Sequence, residues 1–205
     1  GATTTTSVYG GNAPVLPRAV DVAKEGEAEA IGDGSALFNG SADYIQVADS
    51  SVLDAPASWT LSAWIKLGSG TSGYDRIVGK QNTSSQCNYG IGLKNGTDFG
   101  VFIADSGGFD DLYYATDLTV GEWVHGVGTW DGTYLKVYLN GILVSTSSDL
   151  SSANSSVTNT APVLIGRNAT DGDQYFGGNL SQVGIWQGAL TQAQIQSVME
   201  STSYD

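Results

Sequence analysis

Between Trp123 and Val144 the chain reads WVHGVGTWDGTYLKVYLNGILV, three strand-length runs separated by Asp131-Gly132 and Asn140-Gly141. Asp-Gly and Asn-Gly are the strongest short hairpin signals. A type I′ turn needs positive φ at both central residues, which glycine adopts freely and Asn or Asp tolerate, and its twist matches that of the flanking strands. Two such turns in succession predict an antiparallel meander. Between them Leu135, Val137 and Leu139 alternate with Tyr134, Lys136 and Tyr138, the period-2 pattern of a strand with one aliphatic and one amphipathic face. The chain is therefore expected to be all-β and antiparallel.

At 205 residues one sizeable core is affordable, and sandwiches of this length are commonly single domains. Twenty-eight glycines and only 14% charged residues suit short strands joined by tight polar turns. Twenty-one acids against eight bases leave a net charge of −13. Nucleic acid is a poor partner for such a chain and is not expected, because phosphate binding needs clustered Lys and Arg. The acidity fits a solvated surface, or carboxylates that hold a hard cation such as calcium. Cys87 is alone, so no internal disulfide forms. No apolar run approaches the roughly 20 residues needed to span a bilayer, so membrane insertion is not expected.

Residues 1–34 have no strand pattern and end in an acidic, alanine-rich run. Pro14 and Pro17 favour extended backbone, so this segment reads as an N-terminal arm that lies along the domain, reaches a neighbouring protein or self-associates, or else as a disordered leader. From Ser35 to the end we expect one domain. Strands are predicted at 36–39, 44–47, 59–67, 76–80, 89–93, 99–104, 112–116, 123–130, 134–139, 142–147, 163–165 and 179–186. Thr191 precedes Gln194 at capping-box spacing, and Ile195, Val198 and Met199 then fall on one face of a short C-terminal helix. Sequons begin at Asn39, Asn82, Asn95, Asn154, Asn168 and Asn179, and turn chemistry accounts for them.

Seven phrases recur in order: Leu37-Phe38-Asn39-Gly40 with Asp43-Tyr44-Ile45; Trp59-Thr60-Leu61-Ser62-Ala63-Trp64-Ile65; Gly121-Glu122-Trp123 with His125; Thr129-Trp130-Asp131-Gly132; Leu135-Lys136-Val137-Tyr138-Leu139-Asn140-Gly141; Ile165-Gly166-Arg167; and Phe176-Gly177-Gly178. Together they resemble the laminin-G-like domains of concanavalin A-type jelly rolls over about residues 35–200. The resemblance implies a two-sheet antiparallel jelly-roll sandwich with one short C-terminal helix. It also implies a module for carbohydrate binding and adhesion, often with calcium, outside the cytoplasm.

Catalysis has to be argued from residues and not from fold. Retaining glycoside hydrolases on this fold set two carboxylates on one face of one strand, about 5 Å apart, and no strand here reads that way. His125, the only histidine, sits at a framework position after Trp123. No catalytic residue is assigned and the chain is not read as an enzyme. Polysaccharide-active chemistry is the weakest alternative.

The segment Asn168-Ala169-Thr170-Asp171-Gly172-Asp173-Gln174 packs carboxylates and amides closely, as calcium requires. Distant relatives on this fold, the pentraxins, hold calcium between the loop after the equivalent of Ile165-Gly166 and an acid before the strand equivalent to Ile77-Val78. Carried over, that implies a calcium site of Asp75, Asn168, Asp171 and Asp173. Asp43 with neighbouring carbonyls is a second candidate. For a ligand, aromatic rings stack on sugar faces while polar neighbours bind hydroxyls. Tyr89, Phe109, Asp110, Asp111, Tyr113, Tyr114 and Trp130 are the candidates, with adjacent Tyr113 and Tyr114 pointing to opposite faces. The leading expectation is a non-catalytic module for a glycan or cell-surface ligand, secreted or on a virion surface. The alternative is a decoration protein of a virion or cell surface whose arm mediates assembly.

Overall fold

The computed structural model describes residues 34–54, 57–69, 73–83, 86–105, 108–115, 117–151, 159–168 and 174–201. The N-terminal arm thus lies outside the described residues except for Gly34. Twelve strands run in chain order: β1 (Ala36–Asn39), β2 (Ile45–Val47), β3 (Trp59–Leu67), β4 (Arg76–Thr83), β5 (Gln86–Lys94), β6 (Asp98–Asp105), β7 (Gly108–Tyr114), β8 (Trp123–Trp130), β9 (Leu135–Leu139), β10 (Ile142–Thr146), β11 (Val163–Ile165) and β12 (Gly177–Gln187). They form two six-stranded sheets, β1-β12-β3-β8-β9-β10 and β2-β11-β4-β5-β6-β7. All pairings between these strands are antiparallel. Chain neighbours such as β2 and β3 fall in different sheets, which makes the sandwich a jelly roll.

Period 2 builds the core from both sheets. Leu61 and Ile65 of β3 and Leu135 and Val137 of β9 face Ile77, Ile91, Leu93, Phe99 and Val101 of the second sheet, all buried. At roughly 25 cal/mol per Å² of apolar surface removed from water, this shared interior is the main stabilising term.

The opening meander forms as β8, β9 and β10, with one turn as expected and one not. Asn140 and Gly141 have φ of 47° and 74°, as a type I′ turn demands. Asn140 Oδ1 also accepts the His125 N–H at 3.0 Å, tying the turn to β8. At Asp131-Gly132 only the glycine has positive φ, at 94°. The Asp131 carboxylate accepts the N–H groups of Thr133 at 3.0 Å and Tyr134 at 2.7 Å, so an Asx-type turn of four residues replaces the tight hairpin. Partial burial works against its ionisation. The bonds from Lys136 Nζ at 2.6 Å and from the two amides still hold it below the usual carboxylate range.

The helix α1 (Gln192–Ser201) begins with the predicted capping box. Thr191 N–H donates to Gln194 Oε1 at 2.8 Å, and Gln194 N–H to Thr191 Oγ1 at 3.4 Å. Its Ile195 packs with Val127, Tyr138 and Leu190 on the outer side of the first sheet, and Gln196 bonds the Gly141 carbonyl at 3.1 Å.

Candidate functional site

Residues opposite one another in an antiparallel ladder share a face. In the second sheet the rows Gly79–Gly90–Phe102–Asp111 and Arg76–Gly92–Gly100–Tyr113 are in register across β4, β5, β6 and β7. Their chain neighbours Ile91 and Val101 face the core, so both rows face outward. A Cβ on Gly90 would lie 2.1 Å from Phe102 Cζ, because the phenyl ring lies flat across the bare backbone there. The Arg76 guanidinium sits 3.9 Å from the centre of that ring and donates from Nη1 to Tyr113 Oη at 3.1 Å. Tyr113 meets Tyr74 edge-on at 6.3 Å and 75°. The Lys94 ammonium lies 5.5 Å from the Tyr113 ring and 5.7 Å from Tyr74. Burial pushes the Tyr113 phenol above its ordinary pKa, only partly offset by Arg76. Tyr74 is 42% exposed. This end of the face therefore offers the half-exposed Tyr74 ring, the Lys94 ammonium and, in Asp111, an exposed carboxylate, over a largely buried Arg76.

Of the residues proposed from sequence, Asp111 and Tyr113 are brought together here. Asp110 and Tyr114 pair with Ile103 and Phe99 and so take the other face of β7. The Phe109 side chain lies outside the described residues. Tyr89 and Trp130 require correction, since both are buried between the sheets. Tyr89 points inward with Ile91, stacks on Trp59 at 5.7 Å and donates to the Leu53 carbonyl at 2.8 Å. Trp130 lies opposite Trp59 in the ladder. Neither ring is open to solvent, because the period that pairs each with core neighbours turns it inward.

Sequence reasoning missed Tyr74, Arg76 and Lys94. A signal for them existed in the alternation Gly90-Ile91-Gly92 with Gly100. Missing side chains at outward positions mark where rings from neighbouring strands lie down.

Two of the four calcium candidates are described. Ile165 pairs with Val78, and Gly166 N–H donates to the Ile77 carbonyl at 2.9 Å, so the ladder runs on toward Asn168 and Asp75 at one end of the sheet. Asp75 is 3% exposed and Asn168 2%. Asn168 is held by its amide N–H to the Gln174 carbonyl at 3.0 Å and by Nδ2 to Gln174 Oε1 at 2.6 Å. Carboxylate and amide oxygens are the ligand types a hard cation takes. Asp171 and Asp173 lie outside the described residues. Among the described residues no three His, Cys, Asp or Glu side chains cluster as a metal site. At the second candidate, Asp43 accepts the Asn39 N–H at 3.1 Å while Asn39 Oδ1 accepts the N–H groups of Ser41 and Ala42, each at 2.9 Å, which is turn chemistry.

His125 lies on the first sheet, 1% exposed, with its ring 5.2 Å from Trp64. Desolvation lowers its pKa to about 4. Neutral and enclosed, it packs as framework.

The family model described as the concanavalin A-like lectin/glucanases superfamily matches residues 39–196. Mouse (Mus musculus) pappalysin-1 is 28% identical over 163 residues, covering 70% of this chain and 10% of that protein. The adhesion G-protein coupled receptor V1 of Danio rerio is 24% identical over 193 residues, 89% of this chain and 3% of its own length. The chain thus spans a tenth or less of these curated relatives. Among solved structures, domain 4 of an extracellular arabinanase from Geobacillus stearothermophilus, in complex with arabinotriose, superposes with a TM-score of 0.66 at 22% identity, covering 90% of this chain and 89% of that one. The ligand-binding domain of botulinum neurotoxin serotype D, in complex with N-acetylneuraminic acid, gives a TM-score of 0.64 at 17% identity, covering 84% and 45%. The receptor-binding domain of the C/D mosaic serotype gives 0.68 at 17%, covering 94% and 47%. At these identities the solved structures show a shared fold. With its family match running from the end of β1 into α1, the chain belongs to the concanavalin A-like lectin/glucanases superfamily.

Proposed function

We propose that the chain is a non-catalytic binding module that takes a glycan, free or on a cell surface, against the outer face of the second sheet. The observation that carries this is the half-exposed Tyr74 ring, set edge-on to Tyr113 with Lys94 over both. Pyranose and furanose rings stack on such surfaces while charged neighbours bond their hydroxyls. Two superposing domains, those of the arabinanase and of the serotype D neurotoxin, were solved with sugars. No described strand carries two carboxylates at alternate positions, which removes support for retaining hydrolysis. The calcium implied by the family would be held by Asp75 and Asn168 with Asp171 and Asp173, at the end of the sheet where β4 and β11 meet. Its part would be to rigidify the loop, displayed outside the cytoplasm.

A glycan array probed with and without chelator tests this reading. Binding is expected for a restricted sugar set, weakened in Tyr74→Ala, and weakened by chelator if calcium takes part. An array silent in both conditions would sink the lectin reading.

A further inference from the structure

Two of the described cations sit in ion pairs with carboxylates. Lys80 binds Asp49 and lies 3.6 Å from Asp54, and Lys136 binds Asp131 at 2.6 Å. These are ordinary ion pairs in an acidic chain. Arg167 is different. Its guanidinium lies 4.9 Å from the Tyr44 ring centre and 5.3 Å from that of Tyr175. No carboxylate among the described residues pairs with it, although the chain has 21 acids. Its Nε is shielded from solvent and has no hydrogen-bond partner.

The backbone holds this residue firmly. Arg167 bridges Tyr175 across the ladder, Asn168 N–H donates to the Gln174 carbonyl at 3.0 Å, and Phe176 N–H to the Gly166 carbonyl at 2.9 Å. Tyr44 leads into β2, the edge strand, and is 41% exposed. Stacking occupies the faces of a guanidinium and leaves its in-plane N–H groups for a planar or tetrahedral anion. The rings also limit the rotamers, so little entropy is lost when an anion binds. The register that brings Gly166 to Ile77 carries Arg167 toward the start of β4, where Arg76 stacks on Phe102 and Lys94 lies over Tyr74 and Tyr113. Three cations stacked on aromatic rings thus share one end of the second sheet.

We propose that Arg167, clasped by Tyr44 and Tyr175, recognises an anionic group, a carboxylate or a sulfate, on the saccharide ligand. This rests on the glycan-binding reading above and adds to it a site and a class of sugar. A net charge of −13 repels polyanions in general, so affinity for one requires a local cationic site.

The test is affinity measurement of the 205-residue chain against two matched polymer pairs, polygalacturonate with its methyl ester and dextran sulfate with dextran. One anionic member is expected to bind about tenfold or more above its neutral partner, and which pair shows this separates carboxylate from sulfate. Arg167→Gln is expected to abolish the preference and Tyr44→Ala to reduce it, with unchanged melting curves. Lys136→Gln, which removes one positive charge elsewhere, is expected to retain it. Equal binding within both pairs, or an undiminished preference in Arg167→Gln, overturns the proposal. So does an equal loss in Lys136→Gln, which would show bulk charge at work. Equal binding with neutral sugars still bound leaves the glycan module standing, whereas no binding to any of the four polymers removes both.

Discussion

Strand β4 carries two cations, Arg76 at its first position and Lys80 four residues on, and the structure turns them to opposite faces of the sheet. Lys80 turns inward beside Tyr89 and Val163, wholly buried, where its ammonium bonds Asp49, the Asn159 carbonyl at 3.0 Å and the Ala161 carbonyl at 2.8 Å. Those oxygens come from the segment before β3 and the segment before β11, so the ammonium pins two connections to the sheet. Arg76 turns outward onto Phe102 and Tyr113, beside the open rings of Tyr74 and Lys94's ammonium. A cation inside needs carboxylates and carbonyls, because an unpaired buried charge is costly. Arg76, also largely buried, is instead covered on the outer face by aromatic rings. On the proposed reading, stability is concentrated at one end of the strand and ligand binding at the other.

That contrast breaks most visibly at Lys80. Lys80→Met leaves Asp49 and Asp54 without their counter-ion and is expected to cost about 3–5 kcal/mol in chemical denaturation, without affecting sugar binding by whatever folded protein remains. A loss under 1 kcal/mol would mean that the oxygens are solvated in solution.

Next in size is a pH effect on the sealed first sheet. His125 has a folded pKa of about 4 against an ordinary 6.5, so the unfolded state binds the proton more readily. The contribution is fully present above pH 6.5 and is lost as pH falls toward 4, by up to roughly 3 kcal/mol at 1.36 kcal/mol per pKa unit. His125→Gln is expected to flatten that part of the stability–pH curve, and parallel curves for the two proteins would refute the assignment.

On the displayed side, Gly90→Ala sets a methyl 2.1 Å from Phe102 Cζ and forces the ring off the sheet. A loss of roughly 1–3 kcal/mol is expected together with weaker binding, since Arg76 stacks on that ring. The smallest effect on folding belongs to Tyr74→Ala. A half-exposed ring should change stability by no more than about 0.5 kcal/mol, while removing roughly 1 kcal/mol or more of sugar affinity. A variant that melts early but binds normally would reverse the division between the two ends of β4.

Much of the architecture was legible because its causes are local. Twelve strands follow from alternation and glycine turns, and the helix start from Thr191 and Gln194. Where bounds moved, pairing overrode propensity. Strand β7 starts at Gly108 and not at Leu112, because Asp110 and Asp111, poor strand formers, complete a ladder with Ile103 and Phe102. The Asp131 turn departed from expectation because the carboxylate found two backbone amides and a lysine.

The ligand candidates were only partly legible. Tyr113 and Asp111 stand in one strand and could be read together. Tyr89 and Trp130 look equally suitable by type, and only their register with core residues shows that they are interior. Arg167 lies between tyrosines 123 positions before it and 8 after it in the chain, a grouping with no spacing to recognise.

By itself the sequence determined the all-β class, the meander and the family membership carried by seven ordered phrases. Each of these depends on short-range pattern or on composition. Only the tertiary structure decided which cation is caged by oxygens and which lies against aromatic rings, and that β2, β4 and β11 meet so that Tyr44, Arg167 and Arg76 approach one end of a sheet. Pairings between distant strands arise from two sheets closing over one core, and alternation along a strand says which residues share a face but not which strand will lie beside it.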